Sequence, residues 1–236
     1  MLYISTTGDL VAFLLIIATF FYLLYSLKSI YIKDVHQVLF SKNTIVFFSL
    51  FILFLHYLLV INTLFIQEPT LNDTDNFIWW ADQYGKLFLG LPNELRKPGY
   101  IELDWDIGED NYYFTIGAGL FKQFLSIFSI AFGTSSFFLS CLSTSIFAVS
   151  LIYFLKICVL LNIRILSGWS IVLFGGVPGF LLITIVPYRE VFMILFLMMS
   201  IYYGLRYRLE NKLLYLAYSI ILIVLFGLFH YVLMSL

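Results

Sequence analysis

From Leu10 to Leu27 the chain runs "LVAFLLIIATFFYLLYSL" without one charged side chain. A hydrocarbon core of roughly 30 Å takes about 20 apolar residues to cross as a helix. Inside that core every backbone N–H and C=O must be satisfied within the segment, so the run specifies a helix and little else. Comparable runs follow at Thr44 to Ile66, Ser135 to Leu161, Gly168 to Val186, Glu190 to Leu205 and Leu213 to Leu236. Charged residues make up 11% of the chain, against about 25% in a soluble domain. The expectation is an all-α integral membrane protein forming one domain over residues 1–236, with about six transmembrane helices. The N-terminal "MLYISTTGDL" has neither a basic stretch nor a small-residue cleavage site, so the first run reads as a retained span.

The orientation follows from where the charges fall. Eight of the 13 basic residues occupy three connections: Lys28, Lys33 and Lys42, then Lys156 and Arg164, then Arg206, Arg208 and Lys212. Basic connections stay on the cytoplasmic side. The stretch Gln67 to Tyr113 holds ten of the 14 acidic residues, and with the following apolar segment it defines a large outer loop over 67–134. That segment, Phe114 to Gly133, contains Lys122 and, near its start, Gly117 and Gly119. Were it to cross, every later basic connection would change sides, so it is expected to lie in the outer interface. The result is six crossings with both termini outside, in a bacterial plasma membrane. The net charge of −1 carries no signal of nucleic acid, and none is expected as a partner. Cys141 and Cys158 fall on one span, about 25 Å apart along a helix, too far to bridge.

The outer loop opens on "NDTDNFIWWADQYGKLF", Asn72 to Phe88. On a helix, Asp73, Phe77, Ala81, Tyr84 and Phe88 share one stripe, and Asp75, Trp79, Asp82 and Lys86 another. Asp73 and Asp75 suit the positive end of the helix dipole, and the Trp pair suits a membrane interface. Without further duty this is a capped interfacial helix. Downstream, "YIELDWDIGED" alternates Glu102, Asp104 and Asp106, which places oxygen ligands on one side of an extended strand, a candidate site for a divalent cation; otherwise it is a solvated acidic face. The turn "VPYREVF" presents Arg189 and Glu190, either as a local ion pair or with the guanidinium free to grip phosphate. His56 and His230 lie in apolar runs with no ligand at metal spacing and read as packed or cavity-facing side chains. Pro178 among the glycines of "FGGVPGF" must break or kink the fourth run.

Taken in order, these features resemble the C-type-fold membrane glycosyltransferases that use polyprenyl-phosphate sugars, including the dolichyl-phosphate-mannose-mannosyltransferase-like proteins. The likeness rests on Asp73, Phe77 and Ala81 at four-residue steps, on "LFKQFLSIFSIAFGTSS", and on "FGGVPGFLLITIVPYREVF". It implies that Asp73, or Asp75 in its place, is the catalytic general base on an acceptor hydroxyl. Lys86, Arg96, Lys97, Arg189 and Glu190 would then form the substrate-binding set, the cations holding the departing lipid phosphate. The implied partners are a polyprenyl-phosphate-linked sugar, membrane lipid, and a glycan or lipid acceptor, in cell-envelope polysaccharide biosynthesis. The apolar run is still open at Leu236, as in a shortened member. The alternatives are a surface-polysaccharide polymerase of the O-antigen type and a non-catalytic membrane accessory protein. A transporter is less well matched, because no inverted repeat is visible.

Overall fold

The computed structural model describes residues 6–34, 42–66, 72–92, 118–161 and 168–229, and every regular element among them is an α-helix. In chain order these are α1 (Thr6–Asp34), α2 (Lys42–Ile66), α3 (Asn72–Phe88), α4 (Ala118–Phe132), α5 (Ser136–Leu160), α6 (Gly168–Gly176), α7 (Pro178–Thr184), α8 (Arg189–Glu210) and α9 (Leu213–Phe229). Four are long and apolar enough to cross a membrane: Thr6–Ile30, Thr44–Asn62, Ser136–Leu160 and Arg189–Glu210. Among the described residues the protein is all-helical, with the helices of a membrane protein. Leu120–Phe132 and Leu213–Phe229 are apolar but shorter.

Helix α5 is the centre of the bundle. Its N-cap Ser135 accepts from the Phe138 N–H and donates to Asp9 of α1 at 2.5 Å. Ten residues further along both helices, Thr19 donates to Ser145 at 2.9 Å. The two contacts share one sequence offset, so α1 and α5 run parallel. Tyr57 of α2 reaches the same Ser145 hydroxyl at 2.8 Å, which in turn donates to the Cys141 carbonyl. In lipid, where apolar side chains gain little by leaving the solvent, such interhelical hydroxyl bonds and close packing are what hold helices together. Around them pack Leu23, Leu27, Ile52, Leu53, Phe147 and Leu151, all fully buried. Gly8 sits so near the start of α5 that a Cβ there would lie 2.8 Å from that of Ser135. Both cysteines are free and buried.

The fourth apolar run is broken, as its proline and glycines require. Helix α6 ends at Gly176, Val177 adopts an extended conformation (φ −63°, ψ 129°), and Pro178 opens α7. The break lies beside the middle of α2 and α5: a Cβ on Gly175 would meet Ile52 Cγ2 at 2.6 Å and Phe147 Cζ at 3.2 Å. Phe147 in turn stacks on His56 at 4.7 Å and on Phe174 at 5.8 Å. His56 is fully buried, with Nδ1 2.7 Å from the Ile52 carbonyl, which makes it the packed histidine expected.

Helices α8 and α9 form an antiparallel hairpin. Asn211 takes the left-handed conformation (φ 53°, ψ 32°) that turns the chain, its N–H bonded to the Tyr207 carbonyl. Asparagine is among the few non-glycine residues that reach this region at low cost. Midway along, Ser200 and Ser219 each donate to the other's carbonyl at 3.0 Å. Tyr153 near the end of α5 meets Tyr202 near the end of α8 at 5.3 Å, so α8 runs parallel to α5. The C-terminal ends of α1, α5 and α8 and the N-terminal end of α9 therefore share one end of the bundle. This is the end that gathers Lys28, Lys156, Arg206, Arg208 and Lys212.

Candidate functional site

At the opposite end lies the α3–α4 pair. The stretch Asn72 to Phe88 is helical over its whole length, and its first stripe supplies the buried face: Phe77, Ala81 and Tyr84 are buried, while Phe88 at the end is exposed. Gly85 allows close approach to α4, where a Cβ would already touch Ile130, Ser129 and the Ser126 carbonyl at 3.5–3.7 Å. Trp80 packs on Tyr84 at 5.7 Å and on Trp79 at 5.0 Å. The ammonium of Lys122 on α4 lies 4.6 Å from the centre of the Trp80 ring, and its side chain is buried. A cation over an indole face gains about 0.5–2 kcal/mol depending on desolvation. The charge that argues against Phe114 to Gly133 as a span thus becomes part of the α3–α4 contact.

The second stripe carries the polar contacts. Asp82 accepts from Lys86 at 2.5 Å and from Gln83 at 3.1 Å through one oxygen, and from Thr134 at 3.0 Å through the other. Thr134 immediately precedes Ser135, the residue bound to Asp9. One short connection between α4 and α5 therefore ties α3 and α1 to the bundle. Sequence reading offered no signal for Thr134 or Asp9. Lys86 is engaged with Asp82, about 20 Å along α3 from Asp73 at about 1.5 Å per residue.

The start of α3 is positioned by aromatic contacts. Phe77 meets Phe121 of α4 at 5.4 Å and Tyr188 at 5.8 Å, both edge to face. Tyr188 is the N-cap of α8, and the next two residues are Arg189 and Glu190. Asp73 stands one turn before Phe77. The Phe77–Tyr188 contact thus links the second turn of α3 to the N-cap of α8. Arg189 Nε lies 3.2 Å from Glu190 Oε1, the local ion pair foreseen as one of the two readings. The Arg189 side chain retains 28% of its accessible surface. Glu190 Oε2 is buried and has no hydrogen-bond partner among the described residues.

Asp73 and Asp75 are placed by their backbone in the first turn of α3, and their side chains lie outside the described residues, as do Arg96, Lys97, Glu102, Asp104, Asp106 and His230 altogether. Among the described residues, no three or more His, Cys, Asp or Glu side chains gather as metal ligands. Around Tyr188 the described charged side chains are those of Arg189 and Glu190, paired with each other. No protein-family model, curated protein or solved structure matches the chain.

Proposed function

We propose that this chain is a membrane glycosyltransferase, or descends from one, acting on a polyprenyl-phosphate-linked sugar at the outer face. The observation that supports the reading is the Phe77–Tyr188 contact, which joins the helix carrying Asp73 and Asp75 to the residue that precedes Arg189. In this reading the chain crosses the membrane six times, α6 and α7 together making one crossing and α9 the last. Helices α3 and α4 lie at the outer interface. Asp73, with Asp75 as the competing group, takes the proton of the acceptor hydroxyl as it attacks the anomeric carbon. Arg189 stabilises the phosphate that leaves. The two demands oppose each other in charge, and the two helix starts separate them in space. Lys86, engaged at the far end of α3, plays a structural part.

The test is transfer from a polyprenyl-phosphate sugar to a glycan or lipid acceptor in membranes containing the protein. General-base catalysis is worth about 10² to 10⁴, so Asp73→Asn should lower transfer by at least about 10²-fold. Asp82→Asn should leave it nearly unchanged, because that carboxylate is engaged with Lys86, Gln83 and Thr134. Undiminished transfer by an Asp73→Asn, Asp75→Asn double variant refutes the assignment. A second reading, a non-catalytic accessory protein, draws on a specific observation: the described charges at this end are already engaged, Asp82 with Lys86, Arg189 with Glu190, Asp9 with Ser135 and Lys122 over Trp80. Absence of transfer by the folded, unaltered protein decides for it.

A further inference from the structure

The opposite end of the bundle holds a different concentration of charge, independent of the outer-face reading. We infer that α5, α8 and α9 together form a site for the phosphate headgroup of an anionic phospholipid, with Lys156 as its central cation. Lys156 lies near the C-terminal end of α5 and is partly buried. Its ammonium sits over two tyrosine rings from different helices, 4.7 Å from the centre of Tyr153 and 5.6 Å from that of Tyr202. It has no carboxylate partner among the described residues. Charges on membrane helices are as a rule paired or solvated, and a cation–π contact is worth only about 0.5–2 kcal/mol. The missing partner is an anion.

The neighbouring helix ends supply the rest of the site. Arg206 follows Tyr202 by four residues on the same face of α8. Its guanidinium carbon is 5.4 Å from the ring centre of Tyr215 on α9, and Nη2 donates to that residue's hydroxyl at 3.3 Å. Lys212 lies 5.7 Å from the same ring. Arg206 and Lys212 share one carboxylate, Glu210. The hydrogen bond to Glu210 also raises the pKa of Lys212 above the ordinary lysine value, so the ammonium stays charged at neutral pH. Arg206 Nε is buried and has no acceptor among the described residues. Lys156, Arg206 and Lys212 thus stand against Glu210 alone among the described residues of this cluster, leaving an excess of positive charge among tyrosines.

The apolar surroundings favour a lipid over free phosphate. Beside Tyr202, α8 exposes Leu197 and Ile201, apolar surface along which acyl chains lie once the headgroup is held. Basic pockets between membrane helices on the side where basic residues collect bind anionic headgroups on this principle.

The experiment is electron paramagnetic resonance of spin-labelled phosphatidylglycerol and phosphatidylcholine with the purified full-length protein in bilayers, reading the relative association of each lipid. The unaltered protein should prefer phosphatidylglycerol. Lys156→Gln should reduce that preference by about fivefold, the worth of one basic residue beside an anionic surface, and Lys156→Arg should restore it. Lys28→Gln removes an exposed cation from the same end of the bundle and should have a clearly smaller effect. An unchanged preference in Lys156→Gln overturns the proposal. Equal losses in the Lys28 and Lys156 variants also overturn it, since the effect would then be diffuse surface charge. Displacement of the labelled lipid by millimolar inorganic phosphate overturns the lipid assignment in favour of a free-phosphate site.

Discussion

Gly175→Ala adds one methyl group at the tightest described contact of the broken helix. The new carbon would stand 2.6 Å from Ile52 Cγ2 and 3.2 Å from Phe147 Cζ, against about 3.5–4.0 Å for two carbons at rest. Roughly 1 Å of movement is therefore needed. Ile52 resists it, because a β-branched side chain has little freedom at χ1. Phe147 resists it too, backed on one side by His56 and on the other by Phe174. Overpacking of this kind costs about 1–3 kcal/mol. The gain from replacing glycine by alanine in a helix is at most about 1 kcal/mol, and Gly175 is near the helix end, where the gain is smaller. The steric term wins, with a net loss of about 1–2 kcal/mol, a factor of about 5–30 in the folded population. Gly179→Ala is the internal control: a Cβ at that position would have nothing within 4 Å, so that variant should be neutral or slightly stabilised. Reversible unfolding in mixed detergent micelles, followed by circular dichroism, measures both. Equal stability of Gly175→Ala and the unaltered protein would falsify the packing argument, and so would a loss at Gly179 as large as that at Gly175.

Three further outcomes are expected. Ser145→Ala should destabilise more than Tyr57→Phe: the first removes the hydroxyl that both Thr19 and Tyr57 reach across the bundle, whereas the second removes one interhelical bond, worth about 0.6 kcal/mol, and leaves Ser145 with Thr19 and the Cys141 carbonyl. The same unfolding assay checks the order. Asp82→Asn should cost no more than about 1 kcal/mol, because Lys86 keeps 41% of its side-chain surface and the pair is screened by water; Thr134 still finds an acceptor in the amide oxygen. For topology, single cysteines at Asn93 and Glu109 should react with an impermeant thiol reagent on intact cells and one at Asn211 should not, and labelling at Asn211 would make Phe114 to Gly133 a crossing segment.

Hydropathy located the helices but measured the wrong property at their ends. The run Leu10 to Leu27 sits inside a helix that extends from Thr6 to Asp34, and Glu190 to Leu205 inside one that continues to Glu210, because threonine, lysine and arginine leave the apolar count without leaving the helix. The true stop of α8 is Asn211, a backbone conformation that no hydropathy window detects. Stripe periodicity did better on α3, since a helix with one buried face writes its contacts into the sequence at steps of three and four. The partners across space were a different matter. Nothing near Asp82 in sequence points to Thr134, nor anything near Asp9 to Ser135, because these pairs depend on how the helices align. The Arg189 turn was legible as two alternatives, and the adjacent carboxylate decides for the ion pair at one edge of the guanidinium.

The Thr19–Ser145 contact joins residues separated by 126 positions. At about 5–20 residues per second, translation takes about 6–25 s to deliver Ser145 after Thr19 has been made. For that interval α1 waits in the bilayer without its parallel neighbour. Thr19 is equipped for the wait, since its hydroxyl also reaches the Leu15 carbonyl of its own helix at 2.7 Å. The nascent span therefore carries no orphaned donor at Thr19 while it idles, and later assembly exchanges a local bond for an interhelical one at little cost.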